Sequence, residues 1–152
     1  MIVGYRLCKT RYSAASGEGA RRSGGRWNRS GIAAVYAAES RALCILERLV
    51  HLVRLPHDEA FTRIVIPASV STCEIKVQDL FSGWSDPVES PLTQALAVDT
   101  MTRHDAAVLL VPSVVVPGER CIVINPDHRE FAQIHFDEPA AFTYDGRLIR
   151  QA

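Results

Sequence analysis

Gly24-Gly25-Arg26-Trp27-Asn28, followed by Gly31 and then Val35-Tyr36, is the segment that most restricts the folding of this chain. Adjacent glycines allow positive φ and close backbone approach, so neither a regular helix nor an ordinary strand runs through them. The segment must be a turn, and it carries unusually large side chains for one. Arg26 can present a planar fork to a phosphate or carboxylate, which lysine cannot reproduce. Trp27 adds a broad apolar face with a single N–H donor. Taken alone, these residues fit either a packed tryptophan beside a solvated arginine or an anion-holding loop.

The surrounding pattern sets out the rest of the chain. Residues 2–8 read as a first strand, and a polar Gly/Ser/Arg-rich loop runs from about Thr10 to Ser30. Residues 33–38 read as a short buried strand containing Tyr36. Ser40 is a suitable N-cap for a helix reaching about Val53. In that helix Leu43, Leu46, Val50 and Val53 recur at helical spacing and predict one apolar face, with Arg41 and Arg48 roughly opposite. Glu47 falls on the margin of that stripe, one turn before His51. A carboxylate there needs a partner or a cavity: it either lies at the helix edge, pairs with Arg48 or His51, or faces a cleft.

Further along, residues 63–66 and 73–77 read as strands separated at Pro67. Ser90-Pro91 combines an N-cap with proline at the first helical position, opening a helix to about Arg103. Residues 106–111 form a strand interrupted at Pro112-Ser113, and residues 120–124 another, stopped by Asn125-Pro126-Asp127. Phe131 to Phe136 and Phe142 to Tyr144 alternate as strands do. Early helices and a strand-rich second half imply an α+β domain with a mixed or antiparallel sheet.

At 152 residues, with 47% hydrophobic and 22% charged, the chain suits a single ordered domain. Seventeen basic and seventeen acidic residues cancel, which offers no basic surplus for direct nucleic-acid binding. The N-terminus lacks the pattern of a signal peptide, and the longest apolar run, from Ala106 to Pro117, is too short to span a bilayer. A cytoplasmic protein with no membrane association is the expectation. Cys8, Cys44, Cys73 and Cys121 are widely spread and read as small core hydrophobes in a reducing compartment. The five histidines lack metal-ligand spacing, so no metal is expected.

Several familiar motifs fail. Gly17-Glu18-Gly19 has Arg22 where a dinucleotide-binding loop needs its third glycine, and a poor strand before it. No phosphate loop is present. Ser113 has no G-x-S-x-G context, and Cys44 or Cys121 as a nucleophile beside a histidine is weaker than a core thiol.

A different order of residues is recognisable. Arg6 sits in a Tyr-Arg-Leu strand; Gly17-Glu18-Gly19-Ala20 leads to Gly24-Gly25-Arg26-Trp27-Asn28, Gly31 and Val35-Tyr36. Ser40, Leu43, Leu46-Glu47 and Val50-His51 follow, then Val111-Pro112-Ser113, Asn125-Pro126-Asp127-His128 and Phe142-Thr143-Tyr144-Asp145-Gly146-Arg147-Leu148. This resembles the RES domain family over nearly all of residues 1–152, with little of the signal between Pro56 and Arg103.

The resemblance implies a fold similar to that of ADP-ribosyltransferases and the toxin role of a bacterial type II toxin–antitoxin pair. It implies NAD+ as substrate, cleaved at the nicotinamide–ribose bond by water or phosphate. The implied partner is an Xre-like antitoxin, through which alone the protein would meet DNA. ADP-ribosyl transfer to a protein and a non-catalytic antitoxin-binding module are the alternatives. Carried onto this sequence, the family pattern assigns catalysis to Arg26, Tyr36, Glu47 and Ser113, and NAD+ binding to Arg6, Arg26, Tyr36 and Asn125. Trp27, Asn28, His51 and His128 are expected to brace the structure, and Asp127 and Asp145 to shape turns.

Overall fold

The computed structural model describes residues 1–149. Eight strands form one mixed sheet, in the order β4-β5-β6-β2-β1-β3-β7, with β8 also pairing with β3. The strands are β1 (Ile2–Lys9), β2 (Val35–Ala38), β3 (Glu59–Ile66), β4 (Thr72–Glu74), β5 (Val108–Pro112), β6 (Arg120–Ile124), β7 (His135–Phe136) and β8 (Ala140–Phe142). The helices are α1 (Glu18–Ser23), α2 (Arg41–Leu49) and α3 (Pro91–His104). All strand pairs are antiparallel except β4–β5.

One junction organises the site. β1 runs in full register with β3 from Ile2↔Ile66 to Lys9↔Glu59, but meets β2 at the single pair Tyr5↔Ala38. The sheet therefore consists of two tightly paired halves that part beyond Tyr5. The Arg6 guanidinium reaches across the opening, donating to the Tyr36 carbonyl at 3.1 Å and the Ser16 carbonyl at 3.4 Å.

Alternation along the strands divides the core between the two faces. Val35, Ala37, Ile64, Ile66, Val108, Leu110, Ile122 and Ile124 pack on one face with Ile134, Phe131 and Phe136. The other face carries both α2 and α3. Under α3, Ala97 packs with Trp27, Leu109, Val111 and Val123. Under α2, Leu43 and Cys44 pack with Leu7, Ala38, Phe61 and Tyr144.

Helix starts follow the sequence signals closely. Ser40 Oγ accepts the Leu43 N–H at 3.0 Å and Ser90 Oγ the Leu92 N–H at 3.2 Å, with Pro91 opening α3. The body of α2 departs from expectation. It ends at Leu49, and Leu46, Val50 and Val53, placed on the apolar face by their spacing, are 40%, 59% and 95% exposed. The buried face is instead Leu43 and Cys44, continued one turn later by the half-buried Glu47 and Arg48. Charged residues with partners in the sheet occupy the positions where an apolar stripe would continue.

Other boundaries also differ. The polar loop before Ser30 contains α1, and β3 begins at the buried Glu59 rather than at Arg63. β4 is confined to Thr72–Glu74. The first half of the alternating stretch from Phe131 to Phe136 is a 3-10 turn, Phe131–Gln133, which sets Phe131 and Ile134 three residues apart and both against the core; only His135–Phe136 is a strand.

Candidate active site

Glu47 projects from α2 toward the far end of the β5–β6 hairpin. Its Oε1 accepts a hydrogen bond from Ser113 Oγ at 2.6 Å and one from Cys121 Sγ at 3.2 Å. Ser113 lies just beyond β5 and is 4% exposed. Its Oγ also accepts the Val115 and Val116 N–H groups at 3.1 and 2.9 Å. With both lone pairs of the hydroxyl engaged, its one proton is directed to Glu47. Cys121 pairs with Val111 on β5 and Ala38 on β2, so its side chain shares the face that carries the helices. It touches the apolar clusters under both α2 and α3 and marks the seam between them. Burial, then the charge and hydrogen bond of Glu47, hold the Cys121 thiol well above its usual range, so it stays protonated.

The donors to Glu47 are thus neutral. A second carboxylate near α2 shows the opposite arrangement. Glu59, 1% exposed, receives Arg48 Nε and Nη2 on Oε1 at 2.8 and 2.6 Å and the Tyr144 hydroxyl on Oε2 at 2.5 Å. That charge is neutralised and enclosed, and it ties α2 to β3 and to the C-terminal segment. The open alternative that Glu47 pairs with Arg48 is therefore settled: Arg48 belongs to Glu59.

The glycine segment forms a closed turn. Gly25 N–H donates to the Asn28 carbonyl at 2.8 Å, which leaves Arg26 and Trp27 at the two central positions. Gly24 has φ +71°, a conformation glycine tolerates and other residues resist. A Cβ on Gly25 would lie 2.8 Å from the Tyr36 hydroxyl, so the missing side chain permits that approach. The Tyr36 hydroxyl accepts the Trp27 N–H at 3.1 Å and donates to Asn28 Oδ1 at 2.7 Å. Burial is the main cause that raises the Tyr36 pKa, keeping the phenol protonated for that donation. Asn28 Nδ2 in turn donates to the Ala20 and Ile32 carbonyls at 2.9 and 2.8 Å. Trp27 and Asn28 brace the turn.

Arg26 reaches a segment that the sequence did not connect with it. Its guanidinium donates to the carbonyls of Trp84 and Asp86 at 2.6 and 2.8 Å, while Trp84 packs against Trp27 with ring centroids 6.2 Å apart. Asn125 lies at the end of β6, where its Oδ1 accepts the Asp127 N–H at 3.0 Å. It also borders a cavity of about 120 Å³ with Trp27, Asn28 and Met101, too small for a dinucleotide.

The candidate residues therefore fall into linked groups. Glu47 and Ser113 meet directly, with Cys121 as an unforeseen third member. Arg26 and Tyr36 are joined through the Gly25–Asn28 turn, and Arg6 holds the Tyr36 backbone. Asn125 stands apart in its own turn. Among the described residues no three His, Cys, Asp or Glu side chains are grouped to hold a metal ion, and no helix is long and apolar enough to cross a membrane.

The RES domain model matches residues 4–145. The chain belongs to the RES domain family. A Prs ADP-ribosylating toxin from Sphingobium sp. (strain YBL2) is 38% identical to it over 141 residues, covering 90% of this chain and 88% of that protein. Toxin Res from Photorhabdus laumondii is 36% identical over 154 residues, covering 98% of each. Among solved structures, the toxin–antitoxin complex MbcT–MbcA of M. tuberculosis contains a chain with TM-score 0.69 and 19% identity, covering 93% of this chain and 84% of that one. This RES domain accordingly has the single-domain, mixed-sheet fold that the sequence pattern implied.

Proposed function

We propose that this RES domain is the toxin of a toxin–antitoxin pair and consumes NAD+ by breaking the bond between nicotinamide and ribose. The observation that carries the reading is the state of Glu47: a half-buried carboxylate on the α2 face of the sheet, held by two neutral donors and, among the described residues, by no cation. Bond cleavage develops positive charge on the ribose, as glycoside cleavage does. A carboxylate without a cationic partner stabilises that charge more than it stabilises bound NAD+, which is the condition for faster reaction. Nicotinamide departs as a neutral molecule, so the leaving group needs no proton. Arg26 and Arg6 are the candidate holders of the pyrophosphate. Tyr36 offers a ring for the nicotinamide, and Asn125 a further polar contact.

Water or phosphate then takes the ADP-ribosyl group. Transfer to a protein side chain is the second reading, favoured by the name of the Sphingobium relative. The names of the Photorhabdus protein and of the mycobacterial complex support the toxin role and an antitoxin partner; we take an Xre-like protein as that partner, acting in the cytoplasm.

The test is the product spectrum of purified antitoxin-free protein. Nicotinamide release with ADP-ribose identifies hydrolysis, and phosphate-dependent release of ADP-ribose 1″-phosphate identifies phosphorolysis. Labelled NAD+ marking a protein in lysate, with slow turnover in its absence, identifies transfer. NAD+ left intact under all three conditions would overturn the reading.

A further inference from the structure

Two donors of different kinds converge on one oxygen of Glu47. Ser113 Oγ approaches Oε1 at 2.6 Å from the root of the hairpin loop, and Cys121 Sγ approaches the same atom at 3.2 Å from β6. Among the described residues, Oε2 has no hydrogen-bond partner in the protein. The last torsion of a glutamate is broad, with no sharp staggered well. One donor to Oε1 fixes the position of that atom and leaves the carboxylate free to swing about it. A second donor, from a separate backbone segment, restricts the swing and so fixes where Oε2 points.

The geometry points to Cys121 as a positioning residue for Glu47: its thiol donates to Oε1 and, with Ser113, presents Oε2 to the reacting ribose. The orientation part of this inference rests on the NAD+-cleaving reading; the hydrogen bond does not. Burial and the neighbouring carboxylate favour the protonated thiol, so Cys121 serves as a donor and not as a nucleophile. Its flanks are apolar, Ala38 across β2 and Val111 across β5, and both clusters beneath the helices touch it. Such a residue reads as core filling, and the contact with Glu47 is what sets it apart.

The experiment compares Cys121→Ala, Cys121→Ser and the unaltered protein. Each is assayed for nicotinamide release from NAD+ and checked for an unchanged thermal melt. Loss of one weak donor to a charged group is expected to lower kcat roughly tenfold with KM within about twofold. Serine keeps a donor and should restore most of the rate. Unchanged kcat in the alanine variant, or equal losses in both variants, would overturn the inference.

A second measurement does not depend on turnover. The infrared S–H stretching band of Cys121, identified against Cys121→Ser, should move to higher frequency in Glu47→Ala, because the acceptor is gone. A band that stays in place disproves the contact. A moved band in a protein that leaves NAD+ intact would retain the hydrogen bond and reject the reaction, so the two failures are distinguishable.

Discussion

Ser113 and Glu47, 66 positions apart in the chain, are joined by a 2.6 Å hydrogen bond whose direction is fixed. Both lone pairs of the Ser113 hydroxyl are occupied by backbone N–H groups, so its proton goes to the carboxylate. The bond therefore couples the loop after β5 to the orientation of α2's only half-buried acid.

Glu47→Gln keeps the shape of that side chain and removes its charge. If the charge stabilises a cationic transition state, nicotinamide release should fall by on the order of 10²- to 10³-fold, the scale typical of lost electrostatic stabilisation. Growth arrest should disappear with it, while the melting temperature stays within a few degrees. Retained NAD+ turnover in a folded Glu47→Gln protein would remove this carboxylate from the chemistry.

Ser113→Ala tests the same bond from the other side. It takes a donor from Glu47 and an acceptor from two backbone N–H groups, and should cost about 1–3 kcal/mol of stability as well as activity. For a chain of this length that corresponds to a melting temperature lower by roughly 2–4 °C per kcal/mol. Calorimetry together with NAD+ turnover separates the two losses: Glu47→Gln should lose activity alone, and Ser113→Ala both.

The Arg48–Glu59–Tyr144 group, centred on the buried Glu59, predicts the reverse pattern. Arg48→Leu leaves a fully buried carboxylate without its cation, and should destabilise by about 3–5 kcal/mol. Tyr144→Phe removes one hydrogen bond to a charged group and should cost about 1.5–3 kcal/mol. Replacing Arg48 and Glu59 together with leucine should recover much of the loss, because the lone buried charge is then gone. Denaturant melts measure all three. A double variant no more stable than Arg48→Leu would show that the ion pair is not the source of the effect.

These two carboxylates also show what could be read in the sequence. Local signals sufficed for the caps at Ser40 and Ser90, for β6, and for the turn at Gly24-Gly25, because each depends on neighbouring residues. Glu47 was legible as an acid on a helix margin, but its partners were not: Ser113 and Cys121 reach it through strand pairing and helix packing. Cys121 lies in an uninterrupted apolar run, Cys121 to Ile124, where no alternation distinguishes its face. The exposed Leu46, Val50 and Val53 misled for a related reason. Spacing gives the period of a helix, while its rotation is decided by what the sheet offers, and here the sheet offers partners to Glu47 and Arg48. Arg26's contact with Trp84 and Asp86 joins the turn to a middle region that carries little pattern of its own.

Buried thiols and phenols make stability sensitive to alkaline pH. Burial, as the largest cause, raises the Cys44 thiol to about 12 from an ordinary value of 9.0, and it raises Cys121, Tyr36 and Tyr144 as well. For each group the folded state holds its proton after the unfolded state has released it. Stability is therefore full below about pH 9 and declines as pH rises above it, approaching 1.4 kcal/mol per pH unit for each such group. Cys44→Ala should make the decline between pH 9 and 12 shallower by about one proton's worth, as read from urea midpoints across that range. An unchanged slope would mean that Cys44 does not hold its proton in the folded protein.

Arg26 provides a test of ligand binding that does not involve turnover. Two of its five N–H donors are given to the carbonyls of Trp84 and Asp86. A fork-to-fork grip on the pyrophosphate of NAD+ turns the guanidinium toward charged oxygens, which form the stronger hydrogen bonds, in exchange for those neutral acceptors. The exchange frees the backbone around Trp84–Asp86. In the turnover-deficient Glu47→Gln protein, saturating NAD+ should therefore increase amide hydrogen exchange in residues 82–88, while it slows exchange elsewhere around the site. Arg26→Ala should show the same rapid exchange without NAD+, together with a KM raised on the order of tenfold in an otherwise unaltered chain, as expected for the loss of about 1.4 kcal/mol of binding. Arg26→Lys should not restore binding if the planar fork is what the phosphates require. If exchange in residues 82–88 is indifferent to NAD+ and Arg26→Ala leaves KM unchanged, Arg26 remains on the loop throughout and its part is to brace the turn.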